Sequence, residues 1–270
     1  MIANVLSIAG SDPSGGAGIQ ADLKTFSALG AYGMAAITAL TAQNTQGVVS
    51  FQTVDPAFVA AQIDAIFADV RVDAVKIGMV ATAAIATAIA DRLRHHGARN
   101  IVLDPVMVAK SGHHLLHDDA VVALRDVLVP MASVITPNLP EAGVLLGRTE
   151  PATLADMREA VRDLHRLRPA FVLLKGGHLT GQDSTDLLFD GTTVVELPGA
   201  RIDTRNTHGT GCTLSSAIAA LLPRFGMEQA VRRAKAYLTD AIAASSRLTV
   251  GSGHGPVHHF HALWKEDAAP

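Results

Sequence analysis

Short apolar runs alternate with longer stretches of helical spacing along most of this chain, and that alternation restricts the folds open to it. The runs are Val5 to Gly10, Met34 to Leu40, Ala74 to Gly78, Ile101 to Pro105, Ser133 to Pro137 and Ala170 to Lys175. Strands without polar alternation are buried on both faces, which indicates a mostly parallel sheet covered by helices on both sides. Helical spacing predicts Ile19 to Leu29, which stops at Gly30, then Thr82 to His96, Asp118 to Val129, Leu139 to Leu146 and Thr153 to Leu167. Another helix starts at Asp55-Pro56, with the acid as N-cap and proline in the first position. It carries Phe58, Ile63, Ile66, Phe67 and Val70 on one stripe. After Gly177 the texture changes. Asp186 to Asp190 and Thr193 to Leu197 read as two antiparallel strands joined at Asp190-Gly191. Two long helices, Thr213 to Phe225 and Met227 to Leu248, close the chain.

The 270 residues are 49% hydrophobic and 17% charged, with no visible linker or repeat. That fits one large α/β domain over 1–270. A net charge of -3 without a basic patch argues against nucleic acid as a partner. The N-terminal run lacks a positively charged leader, and no apolar run reaches the ~18 residues that would cross a bilayer. Cys212 is the only cysteine, which excludes an internal disulfide and fits a reducing compartment. The expected setting is the cytoplasm, with no membrane partner.

One polar stretch stands apart, Arg205 to Ser216, where Asn206-Thr207-His208-Gly209-Thr210-Gly211-Cys212 leads into a small, apolar helix. Glycines before a helix let backbone N–H groups converge where the helix dipole is positive, so the turn suits an anion such as a transferring phosphoryl group. A plain glycine-rich loop with a buried cysteine is the plainer reading of the same residues.

In open parallel sheets, ligands bind beyond the carboxyl ends of the strands. Standing there are Ser11-Asp12 and the glycine loop with Asp22 beyond it, Thr41-Ala42-Gln43-Asn44, Lys76 and Met79, Asp104-Pro105-Val106-Met107, Thr136 to Glu141, and Lys175 to His178. Gly16-Ala17-Gly18-Ile19-Gln20-Ala21 matches a loose dinucleotide pattern, but no acid stands about 20 residues on to hold a ribose hydroxyl. The P-loop pattern is absent. Gln43 could instead cap a strand, Asp104 could form a turn before Pro105, and Glu141 could cap the helix from Leu139. Of the 12 histidines, His113, His114 and His117 form one group and His254, His258, His259 and His261 another. Neither has ligand spacing for zinc, so both are expected on a solvated surface. His178 and His208 are expected to be structural or nucleotide-side hydrogen bonders rather than general bases.

Taken in order, Ala9 to Thr25, Thr41 to Thr45, Lys76 to Met79, Asp104 to Met107, Thr136 to Glu141, Leu174 to His178 and Asn206 to Thr213 resemble the blocks of the hydroxymethylpyrimidine/phosphomethylpyrimidine kinases of thiamine biosynthesis. The similarity runs from Val5 to about Leu248, and Gly253 to Pro270 is a stretch that varies in that family. It implies a ribokinase-like three-layer α/β/α sandwich that uses ATP and magnesium to phosphorylate 4-amino-5-hydroxymethyl-2-methylpyrimidine and then its monophosphate. By position it makes Gln43 the reader of the pyrimidine edge, with Gly10 and Asp22 completing the polar contacts and Met79 and Val106 packing the ring. Asn138, Lys175, Thr207 and Thr210 would contact the nucleotide, and Glu141 and Asp104 would serve the metal. Gly209 and Gly211 would belong to the anion hole, and Cys212 would be the base. A helix N-terminus lowers a cysteine pKa, so the thiol is expected to be acidified. Lys110 and His113-His114 depart from the family pattern. A homodimer is expected, with Met34 to Leu40 near an exposed edge. Two further readings stay open, a kinase for pyridoxal-type vitamers and a non-catalytic vitamin sensor.

Overall fold

The computed structural model describes residues 1–107, 118–181 and 184–264. Lys110 and the group His113, His114 and His117 lie outside them. Among the described residues, β1 (Asn4–Ala9), β2 (Tyr32–Ile37), β5 (Ala74–Ile77), β6 (Ile101–Leu103), β7 (Val134–Ile135) and β8 (Phe171–Leu174) run parallel. β9 (Asp186–Phe189) and β10 (Val194–Leu197) finish the sheet antiparallel. The order is β10-β9-β8-β7-β6-β5-β1-β2, so β2 is an edge strand.

Side chains alternate across each strand, which divides the core. Leu6, Ile8, Val75, Ile77, Leu103 and Ile135 pack on the side of α2 (Pro56–Asp69), α3 (Ala83–His95), α5 (Leu139–Leu146) and α6 (Leu154–His165). α4 (Asp118–Ala123) lies beside α3. Val5, Ala74, Val102 and Val134 pack on the other side against α1 (Gly18–Ala28), α7 (Thr210–Leu221) and α8 (Met227–Ala243). Two helical layers over one mostly parallel sheet are what the alternating runs predict. By the same alternation Ser7 and Lys76, flanked by Leu6/Ile8 and Val75/Ile77, point toward α1 and α7.

The structure departs from expectation at several places. The run Met34 to Leu40 is not one strand. It breaks at Thr38, whose N–H donates to the Ala9 carbonyl (3.0 Å) and whose Oγ1 donates to the Met79 carbonyl (2.6 Å). The chain leaves the sheet there and forms β3 (Ala39–Asn44), paired antiparallel with β4 (Gly47–Thr53) in a ribbon of its own. β4 has no signature because it is half polar and largely exposed. On α2, Phe58 is exposed and Val59 takes its place beside Ile63. The helix expected from Asp118 to Val129 keeps α-geometry only to Ala123, then widens over Leu124–Leu128 and tightens over Val129–Met131. α7 starts at Thr210 rather than Thr213, because glycine is tolerated in a first turn whose N–H groups lack intrahelical partners anyway. α8 ends at Ala243, short of Leu248, in a tight turn over Ala244–Arg247.

The tail is the largest departure. His258 and His259 are buried, not solvated. Gly253 and His254 donate backbone N–H groups to Thr45 Oγ1 and O, His208 donates its own to the Gly255 carbonyl, and His259 Nε2 lies 3.1 Å from Thr213 Oγ1. The tail is thus a strap that ties the β3–β4 turn to the start of α7. Burial holds His259 down at about 3, so it is neutral at physiological pH.

Candidate active site

Strand order reverses at β1: the chain goes outward to β2, then returns to β5 on the other side. Such a switch point opens a crevice at the carboxyl ends of the strands. Gly10 and Met79 meet there, since a Cβ on Gly10 would stand 3.1 Å from Met79 Sδ. Met79 packs with Ala39, Val48 and Ala81, and Val106 and Phe51 lie against that small cluster. Ser11 fastens the ribbon to this wall, donating N–H to Ala39 O (2.9 Å) and accepting from Thr41 Oγ1 at its carbonyl (2.8 Å). Gln43 is half-buried at an irregular step of the ribbon, between Ala42 and Gln43. Gln43 pairs across the ribbon with Val48, a member of that cluster, and its side-chain amide lies 3.4 Å from His208 Nε2.

α7 lies over β1, β5 and β6, so its first turn points into the crevice. Gly209 adopts φ 77°, and a Cβ there would collide with the Gly16 carbonyl, so glycine is needed on both counts. Thr207 donates N–H to Arg205 O and accepts from Thr210 N–H, which closes the turn. The first-turn N–H groups of Gly211 and Cys212 are left for a ligand. A Cβ on Gly211 would stand 3.4 Å from Lys175 Nζ and 3.5 Å from Asp104 Oδ2, so turn, lysine and acid share one spot.

Asp104 is buried and accepts from Thr136 Oγ1 (3.1 Å), Ser215 Oγ (3.2 Å) and Lys175 Nζ (3.2 Å). Burial alone would raise its pKa, but Lys175 and then Lys76 more than offset this and keep it ionised. Lys175 Nζ is also 3.9 Å from Glu141 Oε2. Asn138 and Glu141 form a reciprocal cap on α5, each side chain accepting the other's N–H at 2.8 Å. So the capping role of Glu141 is real, and it holds the carboxyl against Lys175. Burial pushes Glu141 up to about 7, against the pull of Lys175 and the Asn138 N–H.

Two expectations are corrected here. Asp22 does not open toward the crevice. It is wholly buried, accepting from Ser7 Oγ (2.6 Å), Ser216 Oγ (2.6 Å) and, at both oxygens, Lys76 Nζ (2.9 Å). Nor is Cys212 acidified. It keeps some exposure, yet the packing around it pushes the thiol up to about 11, with Lys76 and the Gly18 N–H opposing the shift. The local desolvation outweighs the helix terminus. Sequence reasoning also missed two partnerships, Asp22 with Lys76 and Asp12 with His208 (2.8 Å). The first had a signal, since a lysine whose strand neighbours Val75 and Ile77 face the other way must be buried and needs an acid.

The buried pair should be costly to break on one side. Lys76→Met leaves an uncompensated carboxylate and is expected to destabilise the protein by about 3–5 kcal/mol in denaturant titrations, with Asp22→Asn on top recovering much of the loss. A single-variant cost below about 1 kcal/mol would show that the pair is not an anchor.

The phosphomethylpyrimidine kinase family matches residues 12–258. The hydroxymethylpyrimidine/phosphomethylpyrimidine kinase of Rhizobium meliloti is 57% identical, over 98% of this chain and 100% of that protein. The Escherichia coli protein of the same name is 55% identical, over 97% of this chain and 98% of its own length. The fold also superposes on the ADP complex of Bacillus subtilis pyridoxal kinase with a TM-score of 0.90 at 38% identity, covering 98% of this chain and 100% of that one. With the match running from the glycine loop to the buried tail, the chain belongs to the phosphomethylpyrimidine kinase family.

Proposed function

We propose that the crevice transfers a phosphoryl group from ATP to the hydroxymethyl oxygen of 4-amino-5-hydroxymethyl-2-methylpyrimidine, and then to the resulting monophosphate, as a step of thiamine biosynthesis. The observation that carries this reading is the meeting of Gly211, Lys175 and Asp104 at the N-terminus of α7. It lies on the same sheet edge as the wall of Gly10, Met79 and Val106. The relatives' names supply the substrate class.

Phosphoryl transfer needs alignment and charge stabilisation more than covalent help. The hydroxymethyl oxygen forms a bond to the γ-phosphorus as the bond to the departing ADP oxygen breaks. The N–H groups of Gly209, Gly211 and Cys212 and the Lys175 ammonium face the charge on the phosphoryl oxygens. Gln43 reads the ring edge, because one primary amide offers both a donor and an acceptor. Thr207, Thr210 and Asn138 line the nucleotide side. Asp22 acts beneath the site, through Ser216 and Lys76.

The donor set fits magnesium. Glu141 and Asp104 offer carboxylate oxygens, the donor type this ion takes, 3.9 and 3.2 Å from Lys175 Nζ. One or two carboxylates with phosphate oxygens and waters is the usual way this ion is held. When bound, it neutralises charge on the phosphates.

The chain acts as one domain, in the cytoplasm, and as a homodimer. Among the described residues no helix is long and apolar enough to cross a membrane. The support for pairing is the edge position of β2 and the exposed Tyr32, Leu40 and Val49 on β2 and the ribbon. Light scattering that gives a 28.1 kDa particle at micromolar concentration would exclude the dimer.

An ADP-release assay tests the activity. Release is expected with the hydroxymethylpyrimidine and with its monophosphate, and is expected to be abolished by EDTA. The pyridoxal kinase likeness makes pyridoxal the informative second substrate. Faster release with pyridoxal would favour the vitamer kinase, and no release with either would favour a sensor.

Cys212 is the base, accepting the hydroxymethyl proton as the new bond forms. With its pKa raised to about 11, the thiolate fraction grows about tenfold per pH unit through the neutral range, so kcat/KM is expected to climb with pH. Cys212→Ala keeps the backbone N–H, and is expected to flatten that rise and lower kcat roughly 10²-fold or more. Cys212→Asp is expected to retain more activity than Cys212→Ala. Near-normal turnover in Cys212→Ala would assign catalysis to the N–H groups alone.

A further inference from the structure

Asp12 is 1% exposed and surrounded by donors. Its Oδ1 accepts from Ser14 N–H (2.9 Å) and Ser14 Oγ (2.7 Å). Its Oδ2 accepts from Gly16 N–H (3.1 Å) and Ala17 N–H (2.8 Å), and lies 2.8 Å from His208 Nε2. Although burial alone would raise it, the bonds to His208 and Ser14 hold this carboxyl down at about 2. An ionised carboxylate only accepts, so His208 Nε2 carries a hydrogen and donates it, whether the ring is neutral or charged.

The ring has little freedom. The His208 N–H is bonded to Gly255 O, Pro256 bridges to His208, and a Cβ at Gly16 would collide with the ring. The amide nitrogen of Gln43 stands 3.4 Å from the same Nε2. An NH2 group facing an imidazole N–H sets donor against donor, which makes no bond. Turning the terminal amide by 180° exchanges its oxygen and nitrogen while scarcely moving a heavy atom. That places Oε1 toward the Nε2–H as the longer arm of a three-centre bond whose shorter arm goes to Asp12, and the NH2 on the side away from His208.

We propose that the Asp12–His208 pair is a positioning device for substrate choice: it fixes the Gln43 amide with its oxygen toward His208 and its NH2 outward, so that the site selects rings that present a hydrogen-bond acceptor at that edge. A ring nitrogen of a pyrimidine meets the requirement. The proposal rests on the reading that Gln43 contacts the ring. It makes His208 a specificity determinant that acts without touching substrate. It also gives the tail a part in selection, since the strap pins the His208 backbone.

A double-mutant cycle on the full chain separates the two claims. Gln43→Ala is expected to raise the pyrimidine KM at least tenfold and to leave the ATP KM within about twofold, the loss expected for a hydrogen bond in a polar pocket. His208→Ala is expected to do the same in the wild-type background, and to change the pyrimidine KM less than about twofold once Gln43 is alanine. His208→Gln, whose amide reaches about as far with an N–H, is expected to stay within about threefold of wild type. Equal factors in both backgrounds, or an equal rise in the ATP KM, would overturn the positioning role. No effect of Gln43→Ala would overturn the ring contact itself and the positioning role with it. Nitrogen NMR of the wild-type protein supplies a check that needs no variant: His208 Nε2 is expected to resonate as a protonated nitrogen, and an unprotonated Nε2 would sink the proposal.

Discussion

The salt bridge between Lys76 and Asp22 is the interaction on which the rest of the crevice depends. Both side chains are fully shielded from water, where an unpaired charge costs several kcal/mol. The cost is met only by a complete set of partners, and the set is complete. The Asp22 oxygens also take hydroxyl hydrogens from Ser7 and Ser216. Those partners come from β1, α1, β5 and α7, so the pair admits one arrangement of four elements. A hydrophobic substitute of the same volume would pack, but it would not dictate how far α7 slides along the sheet. Ser216 lies one turn beyond Cys212, so the pair indirectly sets where the thiol and the glycine turn before α7 stand.

α7 is anchored by polar bonds in its N-terminal half and by packing elsewhere. Thr213 reaches His259 in the tail, Ser215 reaches Asp104 at the end of β6, and Ser216 reaches Asp22. Directional bonds hold position better than apolar contacts, which allow sliding. Leu214, Ala217, Ile218 and Leu221 meanwhile fill the layer against the sheet. The Gly211 and Cys212 N–H groups are thereby presented by a helix that cannot rotate without breaking three bonds. Preorganised donors of this kind stabilise charge without having to reorganise when it arrives.

How much of this was legible in the sequence follows from which forces leave a local trace. Hydrophobic burial does, and the parallel strands and their helices stand out as apolar runs. Helix caps do as well, which is why Asp55-Pro56 and Asn138 to Glu141 are readable. Long-range polar pairing leaves little trace. Lys76 and Asp22 are 54 residues apart, and His208 and Asp12 are 196 apart, so neither sequence neighbourhood announces its partner. The ribbon carrying Gln43 was hidden because apolar residues continue through Thr38, where hydrogen bonding and not composition ends the strand. The tail lacks an apolar stripe and is held mainly by backbone bonds and two buried imidazoles, so it read as surface.

The charges around the turn give a physical reason for the proposed pairing of nucleotide and metal. Lys175 and Lys76 stand against Asp104, Asp22 and Glu141. Glu141 sits at about 7 mainly through burial, helped by the negative charge of Asp104. Together these side chains are close to neutral because Glu141 is poised to take a proton. A thiolate at Cys212 would add another negative charge, which Asp22 and Asp104 already resist. A triphosphate arriving alone would push Glu141 and Cys212 further toward their neutral forms. Positive charge entering beside Glu141 would do the reverse, favouring the ionised carboxyl and the thiolate. Burial above all keeps Cys212 protonated, and the acids around it make its ionisation, and so its proposed role as base, sensitive to whether the phosphates arrive neutralised.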